Sequence, residues 1–282
     1  MQSIKTVLAD AVKSLEIVSD SALLDAEILL CNALGKERTY LRAWLDKDLH
    51  PEQIAAFNLL LQQRQQGKPI AYITGKREFW SRDFQVTPDV LIPRPDTELL
   101  IELSLALIPA SQPYKIIDLG TGSGIIAVTL AAERPHAHIR ATDISAAALA
   151  CAKANAAKHN VEHIKFHQSS WFDSIPDGKF NLIISNPPYV TEDDEHLQQG
   201  NLRFEPLTAL ISAQQGLSDI KTIAETACNR LENGGYLLVE HGYNQREDVQ
   251  NIFRALGYQQ VQTHTDLSGQ PRVTSGQYLS QP

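Results

Sequence analysis

From Lys115 to the carboxyl end, short apolar runs and longer stretches of helical spacing take turns, and that alternation predicts the architecture. Lys115–Leu119, His138–Thr142, Ile164–Gln168, Phe180–Ser185 and Tyr236–Glu240 read as strands. Ile125–Glu133, Ala146–Lys158 and Leu217–Leu231 carry helical patterns among them. Strand and helix in succession describe an α/β fold with a doubly wound, mostly parallel sheet. Near the end of the chain, Tyr258–His264 and Arg272–Leu279 flank a Ser-Gly turn and read as a terminal hairpin.

The chain before Gly75 has a different period. Ile4, Val7, Leu8, Ala11, Val12 and Leu15 recur at helical spacing. A second apolar-faced run, Ser21–Leu34, is closed by Gly35 in a C-capping position. Pro51 suits a first helical residue, and the run Glu52–Gln66 stops at Gly67. No strand pattern is visible here, so the segment predicts a small helical bundle, either a docking module or a packing appendage. Beyond Pro69 the pattern changes to short apolar pieces. Ile70–Ile73, Glu78-Phe79-Trp80 and Phe84-Gln85-Val86 read as short strands, broken by Gly75, Ser81-Arg82-Asp83 and Pro88. Pro93-Arg94-Pro95 halts extended structure, and Asp96-Thr97-Glu98 opens a helix through Leu107. The expected domains are therefore residues 1–75, a helical substrate-docking domain; 76–93, a β-hairpin linker; and 94–282, the α/β domain.

Composition narrows the class. With 43% hydrophobic and 21% charged residues over 282 positions, the chain is globular. It has no stretch long and apolar enough for a membrane span, and Met1-Gln2-Ser3-Ile4-Lys5 lacks a signal-peptide core, which predicts a cytoplasmic protein without a membrane partner. Cys31, Cys151 and Cys228 are scattered and suit free thiols in a reducing compartment. A net charge of −8 argues against broad binding to a phosphate backbone. His159, His163 and His167 run from a helix end into a strand rather than onto one face, so no metal is expected.

Two constellations carry chemistry. Asp118-Leu119-Gly120-Thr121-Gly122-Ser123-Gly124 follows the first strand of the α/β region and opens a helix, a place where glycines let backbone approach a ligand. The dinucleotide pattern G-x-G-x-x-G would require glycine where Ile125 stands. Asp118 is a poor neighbour for a pyrophosphate and a good one for a cationic ligand bearing an amino group and a sulfonium. Asp143 ends the second strand, where an acid can take both ribose hydroxyls. Trp171 and Phe172 follow the third strand and could cover an adenine ring. Together these residues, Asp118, Gly120, Thr121, Gly122, Ser123, Gly124, Asp143, Trp171, Phe172 and Asn186, describe an S-adenosylmethionine site.

The second constellation is Asn186-Pro187-Pro188-Tyr189, after the apolar run Phe180–Ser185. Two prolines forbid both helix and ladder, so the asparagine is halted at a strand's carboxyl end, where open α/β sheets put their ligands. The Asn186 side-chain oxygen and the Pro187 carbonyl can each accept one N–H of a planar amine, with Tyr189 packed on the acceptor's flat face. Catalysis is thus expected from Asn186, Pro187 and Tyr189, and substrate binding from Asn186, Pro187, Pro188 and Tyr189. Standing alone, the tetrapeptide would be an ordinary proline-rich turn.

At this point the chain resembles the HemK/PrmC family, the protein-(glutamine) methyltransferases of bacterial class I peptide chain release factors. The resemblance rests on Leu24–Leu30, Gly67–Gly75, Val90–Glu98, Asp118–Gly124, Ser185–Tyr189, Arg203–Leu207 and Glu240-His241-Gly242. It implies a helical N-terminal domain, a β-hairpin linker and a seven-stranded Rossmann-like methyltransferase domain. It also implies a glutamine in a Gly-Gly-Gln loop as substrate, methylated on its side-chain amide nitrogen, and a release factor as protein partner. The main rival is an adenine methyltransferase of nucleic acids, since the same tetrapeptide suits an exocyclic amine on a flipped base. The acidic balance weighs against direct nucleic-acid binding. A non-catalytic binding module and a nicotinamide oxidoreductase are the remaining rivals; the intact Asp118, Asp143 and Asn186 weigh against the first, and Ile125 against the second.

Overall fold

The computed structural model describes residues 2–280. It forms two compact units, one holding the chain up to Lys76 together with Glu195–Phe204, the other Arg77–Asp194 together with the chain from Glu205 on.

The first unit is helical. Helices α1 (Ile4–Leu15), α2 (Ala22–Leu34), α3 (Arg38–Ala43), α4 (Pro51–Gln65) and α5 (Ile70–Thr74) enclose a core of Ile4, Leu15, Leu29, Leu30, Leu41 and Phe57. Gly35 closes α2 in the left-handed region, at φ +60°, as its position in the sequence predicts. Three features differ from expectation. Ile70–Ile73 is helix, not strand: five residues between Pro69 and the left-handed Gly75 are too few for period to decide, and Ile70 and Ile73 pack on the helical core. The short α3 escaped the periodicity. A two-residue bridge pairs β1 (Gln2–Ser3) with β2 (Asp48–Leu49) where no strand was expected. Within this unit Arg64 is nearly buried; its Nε donates to Asp25 at 2.7 Å and its Nη1 to the carbonyls of Gly67 and Lys68. That ion pair ties α2 to the end of α4, with its charges satisfied by geometry that offsets desolvation.

At the start of the second unit, β3 (Lys76–Phe79), whose first residue still belongs to the helical unit, and β4 (Arg82–Gln85) form the expected hairpin. Its turn is Trp80-Ser81, one position earlier than the sequence suggested, with both residues at positive φ (52° and 56°) as a tight two-residue hairpin turn requires. Glu98 and Glu78 hold this costly turn by accepting from the Trp80 and Ser81 amides. The sheet follows: β5 (Tyr114–Leu119), β6 (Ala137–Asp143), β7 (Lys165–Gln168), β8 (Phe180–Ser185), β9 (Leu231–Glu240), β10 (Gln259–Thr265) and β11 (Pro271–Gln277), in the order β10-β11-β9-β8-β5-β6-β7. Strands β5 to β9 run parallel, and β11 is antiparallel to both neighbours. Helices α6 (Glu98–Leu107), α7 (Ile125–Glu133) and α8 (Ala146–Lys158) supply one face, where Leu100, Ile126, Leu130 and Ala156 meet Ile116 and Ile139. After the short α9 (Ala213–Gly216), α10 (Ser218–Arg230) and α11 (Arg246–Ala255) supply the other, where Ile220, Ile223, Val249 and Phe253 meet Ile117, Ile183 and Leu237. Helix α11 was not expected, because its apolar stripe is only Val249, Ile252 and Phe253.

Register places the chemistry. Leu119 pairs with Thr142 on one side and Ser185 on the other, and Ser185 with Val239. Gly120, Asp143, Asn186 and Glu240 therefore emerge side by side at the carboxyl ends. The chain runs to opposite sides of β5 through β6 and β8, so this is the topological switch point of the sheet.

Candidate active site

A cavity of about 360 Å³ opens at that switch point, within the range of small-molecule sites. The expected residues that line it are Gly120, Thr121, Gly122, Ser123, Asp143, Trp171, Asn186 and Pro188. The others sit elsewhere. Phe172 is buried in the second-face core, so it cannot cover a ligand ring. Gly124 caps α7 at φ +83°, and a Cβ there would stand 3.0 Å from that of Ala152, so its smallness serves the α7–α8 contact. Pro187 is buried and Tyr189 turns away, both outside the lining.

Asp118 is fully buried beneath the loop rather than in the cavity. Its Oδ2 accepts from Thr121 Oγ1 at 2.6 Å and from the Ala127 amide at 3.3 Å. Burial pushes this carboxyl up to about 7, against the pull of those two bonds. It shapes the loop from below. Asp143 grips the same loop from the side, accepting from the Gly122 amide at 2.9 Å while its other oxygen accepts from Ser145. Burial raises its pKa as well. Gly120 must lack a side chain for a specific reason: at φ +71°, its Cβ would meet the Trp171 ring at 3.2 Å. Apolar walls come from Leu91, Ile125, Ile126 and the exposed Ile144.

Asn186 is oriented by a residue that sequence reasoning left without a role. Its Nδ2 donates to Thr97 Oγ1 at 3.1 Å. Thr97 also lies in the network of the buried Glu240 carboxyl, whose pKa it lowers. With Nδ2 engaged by Thr97, Oδ1 is the amide atom left to the cavity that Asn186 lines. Tyr189 joins the same network, its hydroxyl donating to Glu240 Oε1 at 3.2 Å. Burial raises the Tyr189 hydroxyl far above its ordinary value, with the Glu240 charge adding to it. Glu240 itself is pushed up to about 7 by burial, opposed by Thr97, Arg272 and Tyr189.

Three further clamps were invisible to motif reading. Gln245 donates from Nε2 to the Tyr189 carbonyl at 3.1 Å and to the Gln215 carbonyl at 3.0 Å, while its Oε1 accepts from Gly242. Glu205, with a fully buried side chain, accepts from the Ile92 amide at 3.0 Å and from Arg94 Nη2 at 2.6 Å. It thereby pins the Val90–Arg94 strap that walls the cavity. Asn155 of α8 donates to the Ser123 and Gln85 carbonyls, joining the glycine loop to the hairpin. Thr97, Glu205 and Glu240 do lie in the strings on which the resemblance rests, which was the available signal.

A mixed sheet of this order, parallel except for β11, with a glycine loop at the switch point and an acid ending the next strand, defines a Rossmann-like methyltransferase. Residues 96–202 match the Methyltransferase small domain family and residues 6–75 the PrmC N-terminal domain. A methyltransferase from Pyrococcus furiosus superposes with a TM-score of 0.54 at 15% identity, over 78% of this chain and 98% of its own. The Thermus thermophilus 16S rRNA N2 G1207 methyltransferase does so at 0.53 and 16%, over 72% and 49%. Such identities speak for the fold alone. The sequence relatives are nearer. The release factor glutamine methyltransferase of Vibrio cholerae is 48% identical over 93% of this chain and 92% of its own length. That of Escherichia coli is 46% identical over 96% and 97%, and that of Coxiella burnetii 43% over 97% and 98%. The chain belongs to the release factor glutamine methyltransferase family.

Proposed function

We propose that this chain methylates the side-chain amide nitrogen of the glutamine in the Gly-Gly-Gln motif of class I peptide chain release factors, using S-adenosylmethionine. Membership of the family supports the reaction, and the orientation of Asn186 is the observation that carries the mechanism.

The residues fit the cofactor. The Asp143 carboxylate lines the cavity and suits ribose hydroxyls, the Trp171 ring over Gly120 and the exposed Ile144 suit a purine, and the cavity has no lysine or arginine except Arg94 among its lining residues. A cationic sulfonium is better accommodated there than a pyrophosphate. When bound, S-adenosylmethionine supplies an activated methyl group. The chain supplies acceptor geometry. An amide nitrogen is a weak nucleophile because its lone pair is delocalised into the carbonyl. Asn186 Oδ1 accepts one of its N–H groups and the Pro187 main-chain carbonyl, which sits between the lining residues Asn186 and Pro188 although the Pro187 ring is outside the lining, accepts the other. This aligns the nitrogen and stabilises positive charge as it develops there. Tyr189 acts through Glu240 and Thr97 rather than by covering the substrate. Asp118 acts on the cofactor through Thr121 and the loop.

The helical unit is the docking module of this proposal. Ile17, Leu23 and Leu24 around the α1–α2 turn, and Trp44 and Leu45 after α3, stand exposed, a density of apolar surface that suits a protein partner. No described helix is long and apolar enough to cross a membrane, and we place the reaction in the cytoplasm, where translation terminates.

The test is methyl transfer from labelled S-adenosylmethionine to a folded release factor, to the same factor with its Gly-Gly-Gln glutamine changed to alanine, and to duplex DNA. Label on the intact factor alone, placed on that glutamine by mass spectrometry, is the expected outcome. Label on DNA alone would leave the tetrapeptide's chemistry standing and overturn its substrate.

A further inference from the structure

The sheet carries a second cavity, of about 370 Å³, at the opposite ends of its strands. Its cations are Lys115 at the start of β5, Arg140 on β6, Lys165 at the start of β7 and Lys179 before β8, and the imidazoles of His138 on β6 and of His163 before β7 line it beside them. These side chains share a face for a simple reason. On β6, Ala137, Ile139 and Ala141 face the first core cluster, so by alternation His138 and Arg140 project from the other side. That side is covered over β5, β8 and β9, where Ile117, Ile183 and Leu237 join the second cluster, but among the described residues β6 and β7 contribute nothing to it. The sheet edge is left to charge.

The charges are unbalanced. Arg140 and Lys165 are register partners, and like charges set directly opposite destabilise a strand pair. Of the nearby acids, Glu232 is engaged with Lys115 at 3.3 Å, and Asp177, the cavity's own carboxylate, lies 3.6 Å from Arg230. Arg140 rests its guanidinium 5.7 Å from the centre of the Phe180 ring, and its Nη1 is buried without a hydrogen-bond partner. The positive potential reaches His167: burial first, then Arg140 and Lys165, lower its pKa. In a chain of net charge −8, this concentration runs against composition.

We infer that this cavity binds a compact phosphate-bearing anion, held by Arg140, Lys165 and Lys179, with the Phe180 ring under the Arg140 guanidinium helping to fix its fork. Fixed fork geometry suits Arg140 to phosphate oxygens through the guanidinium edge that borders the cavity, and an anion there would remove the Arg140–Lys165 repulsion. The cations converge on one enclosed space instead of forming a track, which favours a small molecule over a nucleic-acid strand. The site lies at the far ends of the strands from Asn186, so it is separate from methyl transfer.

The experiment is calorimetric titration of the full chain with pyrophosphate, at about 0.15 M salt to screen loose surface attraction, with S-adenosylhomocysteine saturating the other cavity. We expect one site, weakened by about tenfold or more in Arg140→Gln and in Lys165→Gln and only partly recovered in Arg140→Lys, which keeps the charge but loses the fork. S-adenosylhomocysteine affinity should be unchanged in all three, which reports intact folding. Absence of pyrophosphate binding, or binding indifferent to both glutamine variants, overturns the site. A single-stranded oligoribonucleotide that binds through the same residues and is not displaced by pyrophosphate overturns the compact ligand.

Discussion

In the proposed mechanism Asn186 acts through one oxygen, and Thr97 holds the amide by its other end, the Nδ2. Asn186→Ala should lower kcat by roughly 10²–10³, the usual effect of losing one preorganised polar contact at a reacting group, with a smaller effect on S-adenosylhomocysteine affinity. Near-normal turnover would refute the mechanism. Thr97→Val should lower kcat by up to about 10², as misplacement of a catalytic group does, and Thr97→Ser should restore it; equal loss in both would mean that Thr97 only fills space. Asp143 has a different signature. Asp143→Ala should weaken cofactor binding in calorimetry, because it removes the proposed ribose acceptor and the grip on Gly122. Asparagine, prolines and glycines were legible because each announces a local backbone or donor requirement. Thr97 and Glu240 were not, because their importance lies in a contact 89 positions away for Thr97 and 51 for Glu240.

Elements follow the same division. Helices α7 and α8 and strand β8 fall where periodicity puts them, since long buried runs leave little choice of period. The five-residue α5 does not, and its helical state comes from packing on the helical core. Near the site, elements are joined by polar clamps: Gln245 holds the Tyr189 carbonyl, and Gly216, at φ +80°, lies so close that an added Cβ would stand 2.1 Å from that same oxygen. The helical unit offers the cleanest test at this scale. Leu23 is 56% exposed, so Leu23→Asp should leave folding intact and raise KM for the release factor by about fivefold to tenfold, the effect of losing an interface anchor. Unchanged KM in that variant, with unchanged S-adenosylhomocysteine binding, would move the docking surface elsewhere.

For the whole molecule, burying Asp118 and Glu240 ties stability to pH. Each carboxyl is raised by burial from an ordinary value of 3.8 or 4.5 to about 7. Between those values the folded chain holds protons that the unfolded chain has released, so their contribution is full at low pH and is lost as pH rises through about 7. His167, His241 and His264, lowered by burial, work in the opposite sense below their ordinary 6.5. Comparison with Glu240→Gln isolates the carboxyl: the melting temperature of the parent relative to this variant should rise as pH falls from about 8 to about 6. A constant difference would mean that Glu240 titrates normally. The sequence by itself determined the α/β class, the helical leader, the glycine loop and the Asn-Pro-Pro-Tyr turn, because these depend on period and on backbone chemistry within a few residues. Only the tertiary structure decided that Asp118 lies under the loop, that Phe172 belongs to the core, that Tyr189 faces Glu240 and that cations crowd the far sheet edge. Those outcomes depend on which distant side chains share one buried volume, and the free energy that settles them comes from desolvation and pairing after the chain has closed.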